Sequence, residues 1–360
     1  MTSEAVQATG VRVVDVLIVG AGQAGLGAAH WLAAQSGLDV LVVDRAPIGQ
    51  SWLDRWDSLT LFTPRHFSSL PGAPFPDGPG RCPTRVEMAD YLRDYAADLG
   101  VPVETGVTVT RLTRGAHGLL TADTSSGQVV ARHVVLSTGP FHLPFVPPAA
   151  DGLDGAVTQL HSYGYARACD VPSGDVLVVG GGNSAAQLAV ELARTHRVTV
   201  ASPAPPWYLP EDIVGVSMYW WTYLTRILNA PAQAWISRYI RRRGDAVVGT
   251  ELRELVRRGA VQLHPHRVVS CAGRQVTLAD GTTLGVSTVL WCTGFRPDTG
   301  WIEIDGAVDD DGAPLHDRGA SPVAGLHWMG LPWQTRLNSS IINGVDRDAR
   351  ELARRISVAG

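Results

Sequence analysis

The chain contains no lysine, because all 30 of its lysine-or-arginine residues are arginine. This absence excludes a lysine Schiff base and a Walker-type phosphate contact. Cysteine is also scarce: Cys82, Cys169, Cys271 and Cys292 lie far apart, and no two of them form a Cys-x-x-Cys pair. Their spacing excludes a local zinc knuckle and a thioredoxin-like dithiol, so we expect no metal site.

Long apolar runs and a strong net charge are missing as well. No uninterrupted apolar stretch reaches about 18 residues, which argues against a membrane span. The net charge of −4 gives no electrostatic footprint for nucleic acid. The opening MTSEAVQATG is polar and acidic, unlike the basic and then apolar start of a signal peptide. We therefore expect a cytoplasmic protein of 360 residues with more than one domain and a small-molecule substrate.

The N-terminal region has the pattern of a strand, a glycine turn, a helix and a second strand. A β-branched apolar run at 11–20 leads directly into GAGQAG at 20–25. An alanine- and leucine-rich segment at 26–34 has helical character, and the next apolar run at 40–43 ends in Asp44. This order predicts a complete βαβ unit.

Each glycine of the turn has a separate task in a dinucleotide site. Gly20 permits the tight turn, Gly22 lets backbone N–H groups approach a pyrophosphate, and Gly25 lets the helix pack close to the strand. Asp44 follows Gly25 by 44 − 25 = 19 residues, which suits a carboxylate that binds a ribose hydroxyl. The unit is therefore predicted to bind a dinucleotide with its pyrophosphate at the helix N-terminus.

A second unit of the same kind begins at residue 175. DVLVV at 175–179 is followed by GGGNSA at 180–185, by an apolar helix to about Arg194, and by a strand at 197–201. Ala201, Ser202 and Pro203 stand at the end of this strand in place of an acidic residue, so the repulsion of a 2′-phosphate is removed. The pattern favours NADP over NAD, although no arginine stands at that position to bind the phosphate.

Six blocks of the sequence are together typical of one protein family. They are GAGQAG at 20–25, QSWLDRWDSLTLFTPRHFSSLPGAPFP at 50–76, VVLSTG at 134–139, GGGNSA at 180–185, VLWCTGFRPD at 289–298 and GLHWMGLPWQ at 325–334. With these blocks the chain resembles the flavin-containing monooxygenases, flavoproteins with two dinucleotide-binding domains, over nearly its whole length. The resemblance implies an α/β fold of two nested, three-layer Rossmann-like domains. The FAD domain would comprise 1–150 and 295–360, and the NADP domain 151–294.

The resemblance also implies which residues hold the cofactors. The FAD contacts that it implies are Gly20, Gly22, Gln23, Ala24, Gly25, Asp44, Arg45, Ser51, Trp52, Thr63, Pro64, Val109, Thr138, Gly139, Gly330 and Leu331. The NADP contacts that it implies are Gly180, Gly182, Asn183, Ser184, Ala185, Ser202, Thr293 and Gly294. NADPH is the expected electron donor, with NADH left open.

Such a protein would consume NAD(P)H and transfer one oxygen atom from a C4a-peroxyflavin to a small hydrophobic substrate. The sequence leaves open whether nitrogen, sulfur or carbon is oxygenated. It also leaves open a flavin reductase or oxidase, and a flavin-bound redox sensor or transport accessory protein. Two features depart from the family pattern. Two extra residues separate Gly155 from His161 in the signature before the second turn, and Phe62 and Thr63 stand where relatives place an asparagine.

Two residues are candidates for catalysis. His66 could donate a proton near the flavin, although a lone histidine often has a structural role. Asn338, with Ser339 and Ser340, lies where the family places a helix near the flavin ring, and these residue types suit the N-cap of that helix.

A tryptophan-rich insertion at about 204–244 interrupts the second unit. Met218, Trp221, Leu224 and Leu228 recur at helical spacing, so we expect a helix whose apolar side, including Trp221, faces inward. A second helix is expected around 232–240. The insertion could be an active-site lid or the face of a homodimer. Arg241–Arg243 could contact acidic lipid, bind the NADP phosphate or end a solvated helix.

Overall fold

The computed structural model of the protein describes residues 10–35, 37–244 and 246–359. The helices are α1 Gln23–Ala33, α2 Gln50–Leu53, α3 Arg85–Ala97, α4 Asn183–Leu192, α5 Met218–Leu224, α6 Trp235–Arg243, α7 Glu251–Arg257 and α8 Val345–Ala359. The first strands are β1 Val11–Val19, β2 Val40–Asp44, β3 Val103–Thr105, β4 Val109–Arg114, β5 Leu120–Thr124, β6 Gly127–Leu136, β7 Leu143–Pro144, β8 Thr158–His161, β9 Asp175–Val179, β10 Arg197–Ala201 and β11 Tyr208–Leu209. The remaining strands are β12 Asp212–Ile213, β13 Val216–Ser217, β14 Val247–Val248, β15 Val261–His264, β16 Val268–Ala272, β17 Gln275–Leu278, β18 Thr283–Gly285, β19 Thr288–Trp291, β20 Phe295–Arg296, β21 Ile302–Glu303 and β22 Leu326–Trp328.

The first sheet has the strand order β21-β4-β5-β6-β1-β2-β3, and β22 also pairs with β6. Strand β1 runs parallel to both β2 and β6, as a βαβ unit requires. Because side chains alternate along a strand, β1 and β2 contribute to two cores. Val16 and Ile18 pack toward α1, α3 and α8. Leu17 and Val19 pack toward the β4–β6 strands.

The second sheet, β15-β10-β9-β19-β8, is parallel throughout. Helices α4 and α7 contribute to the core on one face, and the antiparallel β16–β18 sheet covers the other. Its strands lie between β6 and β22 in the sequence, so the second unit is inserted into the first. The predicted α/β fold with two nested Rossmann-like units is confirmed, and the exact domain boundaries at 150 and 295 stay a prediction.

The N-terminus of α3 agrees with the sequence expectation. The Thr84 hydroxyl accepts the N–H of Glu87, and the Glu87 carboxylate accepts the N–H of Thr84. This reciprocal capping box satisfies two backbone donors that the first helical turn leaves unpaired. Glu87 also forms an ion pair with Arg65, so the cap is tied to the 50–76 block.

The expected inward orientation of Trp221 is wrong. Helix α5 buries Met218 and Tyr219, whereas Leu224 is 70% exposed and Trp221 is 41% exposed. The indole N–H of Trp221 donates to the carbonyl of Ile213 in the β12–β13 hairpin at 3.2 Å, which holds the ring beside the hairpin. Helix α6 does form where the second helix was expected, and no helix of the described residues is long and apolar enough to cross a membrane.

Two histidines on neighbouring strands of the first sheet, His133 on β6 and His327 on β22, are in contact. Nε2 of His327 lies 3.3 Å from Nδ1 of His133, and His327 is buried. Burial, with the nearby His133 and Arg355 charges, lowers the pKa of His327 to about 4. The neutral form is therefore the one that the fold accommodates.

Acid should destabilise the fold through this histidine. Because its unfolded pKa is about 6.5, the unfolded chain binds a proton between pH 6.5 and pH 4 that the folded chain excludes. We expect this group to lower the free energy of unfolding by about 3 kcal/mol over that window. Urea unfolding at both pH values should show a smaller decrease for His327→Gln than for the wild type. Equal decreases would contradict the assignment.

Candidate functional site

The first glycine turn lies between β1 and α1 and has little room for side chains at two of its three glycines. Gly20 has a φ of +109°, and a Cβ there would lie 2.5 Å from the carbonyl oxygen of Ser137. A Cβ at Gly25 would lie 1.9 Å from the carbonyl oxygen of Gly20. These glycines are therefore required by the close approach of β1, α1 and the end of β6.

The middle glycine faces open space. A Cβ added at Gly22 would meet no protein atom within 4 Å, and its φ of −79° is allowed for any residue. Gly22 is the N-cap of α1, whose first N–H groups have no acceptor inside the helix. An open cradle of free amides at the positive end of a helix fits a dinucleotide pyrophosphate.

Asp44 lies beside this turn. One carboxylate oxygen accepts the N–H of Ala21 at 2.7 Å, and the other accepts the N–H of Ala46 at 2.9 Å. The carboxylate therefore fixes the turn and keeps further lone pairs for a ribose hydroxyl. Arg45 is exposed, and Val109 at the start of β4 is half-buried. The predicted contacts of both with FAD stay predictions.

The second glycine turn repeats this geometry between β9 and α4. A Cβ at Gly180 would lie 2.4 Å from the carbonyl oxygen of Cys292, and Gly180 has a φ of +149°. A Cβ at Gly182 would meet no protein atom within 4 Å. Ala185 replaces the third glycine and is buried against the sheet. This cradle also fits a pyrophosphate, with Ser184 half-buried in its first helical turn.

Two predicted NADP contacts already have intramolecular partners. The side chain of Asn183 donates to the carbonyl of Ala246 at 2.9 Å and accepts the N–H of Val248 at 2.8 Å. It thereby anchors the end of the insertion to α4. The buried Ser202 hydroxyl donates to the carbonyl of Ala204 at 2.7 Å. Ser202 lies against Gly181, so the end of β10 does reach the second turn.

The two Thr-Gly segments lie beside the two glycine turns. The Thr293 hydroxyl donates to the carbonyl of Phe145, and the N–H of Phe145 donates to the carbonyl of Gly294 at 2.9 Å. Just beyond them β7 and β20 pair antiparallel and connect the two units. Nε2 of His142 lies 3.2 Å from the carbonyl oxygen of Thr138, so Thr138-Gly139 is held at the same junction.

The sequence did not indicate an aromatic group around Arg55 at this junction. The guanidinium of Arg55 lies 4.5 Å from the ring centre of Phe141 and 5.5 Å from those of Tyr163 and Phe295. Burial lowers the pKa of Arg55. These residues come from four segments, so no local spacing could have identified the group. Its cation–π contacts connect the 50–76 block to the junction of the two units.

The 50–76 block packs between the two sheets. Trp52 on α2 packs against the first core, whereas Trp56 is buried in the core of the second sheet. Helix α2 ends at Leu53, so these two tryptophans, although four residues apart, do not share a helix face. Ser51 is exposed, and the buried Thr63 and Pro64 precede a 3₁₀ turn at 65–67. Their predicted FAD contacts stay untested predictions.

The insertion covers the end of this block with aromatic rings. Trp220 stacks on His66 with ring centres 5.0 Å apart, and it meets Phe67 edge-on at the same distance. Tyr219 also packs on Phe67. Burial raises the pKa of Tyr219 to about 12, although a hydrogen bond to Thr63 opposes the shift. His66 is exposed on the outer side of this cluster, so its catalytic role stays a prediction.

Gly330 and Leu331, which follow β22, lie close to the first glycine turn. The N–H of Met329 donates to the carbonyl of Leu136 at 2.9 Å. A Cβ at Gly330 would lie 2.7 Å from the Cβ of Ala24 on α1. The structure therefore brings Gly330 to the same end of the sheet as GAGQAG, as the family likeness implies for a residue near the flavin.

The predicted capping role of Asn338, Ser339 and Ser340 is wrong. Helix α8 begins only at Val345, after a 3₁₀ turn at 342–344. The Ser339 hydroxyl accepts the N–H groups of Thr335 and Arg336, both at 3.0 Å. These polar residues therefore stabilise the turn at 335–339, because short hydroxyl side chains bond to nearby backbone groups first.

Asn338 belongs instead to a cluster of three side-chain amides. Its buried Nδ2 lies 3.2 Å from Oδ1 of Asn343 and 3.5 Å from Oδ1 of Asn229 in the insertion. Its Oδ1 is buried without a hydrogen-bond partner among the described residues. An unpaired buried acceptor of this kind fits a donor supplied by a bound cofactor or substrate. Asn229 and Asn343 lie 114 residues apart, so no local spacing in the sequence predicts this cluster.

The arginines of α6 lie over aromatic rings. Arg241 is 4.9 Å from the ring centre of Trp333, and Arg243 is 5.0 Å from that of Trp207. Trp235, at the start of α6, is 74% exposed. For the three arginines, contact with acidic lipid, binding of the NADP phosphate and a solvated helix end all stay predictions. For the insertion, the lid and the homodimer face also stay predictions. Within the described ranges, no group of three or more His, Cys, Asp or Glu residues could hold a metal ion.

The family model for pyridine nucleotide-disulphide oxidoreductases matches residues 17–229. An oxidoreductase designated CzcO-like from Geobacillus kaustophilus is 39% identical over 95% of this chain and 97% of its own length. The probable indole-3-pyruvate monooxygenase YUCCA9 of Arabidopsis thaliana is 28% identical over 83% of this chain and 79% of its own length.

The structure of a flavin-containing monooxygenase from Stenotrophomonas maltophilia is also similar, at 28% identity and a TM-score of 0.79. The similarity covers 97% of this chain and 99% of that one. The resemblance to flavin-containing monooxygenases is thereby confirmed, and FAD and a pyridine nucleotide are the cofactors of the protein. The chain belongs to the pyridine nucleotide-disulphide oxidoreductase family and is a flavin-dependent oxidoreductase.

Proposed function

We propose that the protein is an NAD(P)H-consuming monooxygenase that transfers one oxygen atom to a small hydrophobic substrate. The full-length likeness to a flavin-containing monooxygenase carries this proposal, because it includes both glycine turns and the segments between them. The state of Cys292 supports the proposal indirectly, because a disulphide reductase would need a reactive thiol. Burial raises the pKa of Cys292 to about 12, so the thiol beside the second turn is protonated and is a poor nucleophile.

In this proposal the chain itself binds, orients and shields, while the bound flavin supplies the redox and oxygen chemistry. Gly22 and Gly182 admit the two pyrophosphates, and the junction at Thr138 and Thr293 lies between the two cradles. We assign FAD to the unit formed by 1–150 and 295–360, and the pyridine nucleotide to 151–294. The cytoplasm remains the proposed location.

The second cradle should prefer NADPH. Strand β10 ends at Ala201 and is followed by Ser202, so no carboxylate at that position repels a 2′-phosphate. We expect NADPH to reduce the bound flavin at least about tenfold more efficiently than NADH, because the arginines at 241–243 on α6 supply positive charge for the 2′-phosphate. Stopped-flow reduction with each donor measures this ratio. Equal efficiencies would contradict the preference.

The aromatic cluster under α5 should exclude water from the oxygen chemistry. Tyr219 is 5% exposed and contacts Phe67, so Tyr219→Ala should open the cover over the 50–76 block. We expect wild-type enzyme with an accepted thioether, amine or ketone to release little hydrogen peroxide per NADPH. Tyr219→Ala should release several times more, as measured by a peroxide assay in parallel with NADPH absorbance.

Trp235→Ala is the matched control, because Trp235 is an exposed aromatic residue of the same insertion. Its peroxide yield should equal that of the wild type. If the wild type returns all its electrons as peroxide with every substrate class, the protein is an oxidase and the monooxygenase proposal is wrong. If Tyr219→Ala stays coupled, the cover is wrong and the monooxygenase proposal is unaffected.

A further inference from the structure

The outer face of α8 carries a row of arginines outside the two cradles. Arg347, Arg350 and Arg354 are spaced by three and four residues, so they lie on one side of the helix, and all three are exposed. Among the described residues, none of these three guanidinium groups forms an ion pair. By contrast, the neighbouring Arg318 and Arg355 share the carboxylate of Glu351.

These arginines line a concavity of about 470 Å³ together with Arg318 and Arg336 from two loops. Its carboxylates, Asp346 and Glu351, are already engaged. Asp346 accepts the indole N–H of Trp31 at 2.9 Å, and Glu351 accepts two hydrogen bonds from Arg318, both at 2.9 Å. The lining still contains more arginines than carboxylates, even though Arg336 pairs with Asp348 outside it. The concavity therefore has a net positive charge, and its guanidinium groups attract a multiply charged anion.

A second concavity of about 440 Å³ adjoins the first and has a different lining. Trp31, Ala34 and Ala353 contribute apolar surface, while Arg350 and Arg354 belong to both concavities. The guanidinium of Arg350 lies 4.2 Å from the ring centre of Trp31. A planar group can stack on such a guanidinium or indole surface.

This region is separate from both glycine turns. Trp31 lies eight residues beyond Gln23 on α1, about 12 Å along the helix from the first turn at 1.5 Å per residue. The second turn lies in the other sheet. The arginine row is therefore not needed to hold either cofactor at its cradle.

We propose that the two concavities form one additional site for a phosphate-bearing ligand with a planar base, of the nucleoside diphosphate class. The phosphates are bound by Arg347 and Arg354, and the base packs on Trp31 beside Arg350. Guanidinium groups match phosphate oxygens in geometry and charge, and the indole supplies a flat apolar surface. The assignment is independent of the proposed monooxygenase activity.

The test is a calorimetric titration of FAD-loaded Gly182→Val protein, whose second cradle is obstructed, with ADP, pyrophosphate and adenosine. ADP should bind with one site, and pyrophosphate should bind about tenfold more weakly because it lacks the stacking base. The double variant Arg347→Gln with Arg354→Gln should weaken ADP binding at least about tenfold, because it removes two charge-assisted contacts.

The matched control replaces Arg253 and Arg258, two exposed arginines at α7 that lie outside every proposed phosphate site, by glutamine. It changes the net charge equally at another helix. The ADP affinity of this α7 variant should equal that of the unmodified protein. The absence of saturable ADP binding would overturn the site. Equal weakening by both double variants would show only nonspecific charge attraction, and equal binding of ADP and pyrophosphate would remove Trp31 from the site. Either result contradicts the proposal.

Discussion

We expect Gly22→Val to fold normally and to lose FAD. The valine side chain enters the open space at the N-terminus of α1, where it meets no protein atom but occupies the pyrophosphate's approach. Loss of two hydrogen bonds to a charged group corresponds to about 3 kcal/mol, so affinity should fall at least about 100-fold. The backbone angles of Gly22, φ −79° and ψ −177°, are also favourable for valine.

Flavin absorbance of the purified protein and a fluorescence titration of the apoprotein with FAD measure this loss. Thermal unfolding of the two apoproteins provides the folding control, and their midpoints should agree to within a few degrees. Retention of stoichiometric FAD by Gly22→Val would show that the first turn does not hold the pyrophosphate.

The same substitution at the second turn should affect the other cofactor, the pyridine nucleotide, and leave FAD bound. Gly182 is as open as Gly22 and also stands before a helix, so Gly182→Val should retain FAD but bind NADPH at least about 100-fold more weakly. Stopped-flow reduction over a range of NADPH concentrations gives the affinity. Dithionite should still reduce the flavin completely, because that reaction does not require the second cradle.

Each valine variant is the control for the other, because both make the same chemical change at equivalent positions of the two turns. Loss of FAD from Gly182→Val would reverse the assignment of the two cofactors to the two turns. An unchanged NADPH affinity of this variant would show that the second turn does not bind the pyridine nucleotide. A folded protein in which both variants lose both cofactors would show that the sites are not separable.

Local patterns were sufficient to predict the parts of the fold that depend on short-range sequence. The glycine turns, the helices that follow them and Asp44 lie within stretches of about 25 residues, where spacing determines backbone geometry. Gly20 and Gly25 illustrate why: each has backbone atoms so close that a side chain could not fit. The Thr84–Glu87 cap was predictable for the same reason.

Orientation and long-range contacts were not predictable in this way. Helical spacing groups Trp221 with Met218, but it does not determine which side of a short helix packs against the protein. The hydrogen bond from Trp221 to the hairpin decides that orientation. The Asn338 cluster and the rings around Arg55 combine residues from distant segments. Such sites depend on the tertiary fold, and one sequence carries no local signal for them.

The most direct test of the monooxygenase proposal is the source of oxygen in a product. FAD-loaded protein should be given NADPH, ¹⁸O₂ and a panel of apolar thioethers, amines and ketones in ordinary water, and the products analysed by mass spectrometry. The account predicts that an accepted substrate gains one ¹⁸O atom for each NADPH that is not recovered as hydrogen peroxide. NADPH consumption with all electrons recovered in peroxide, and no labelled product from any substrate class, would contradict it.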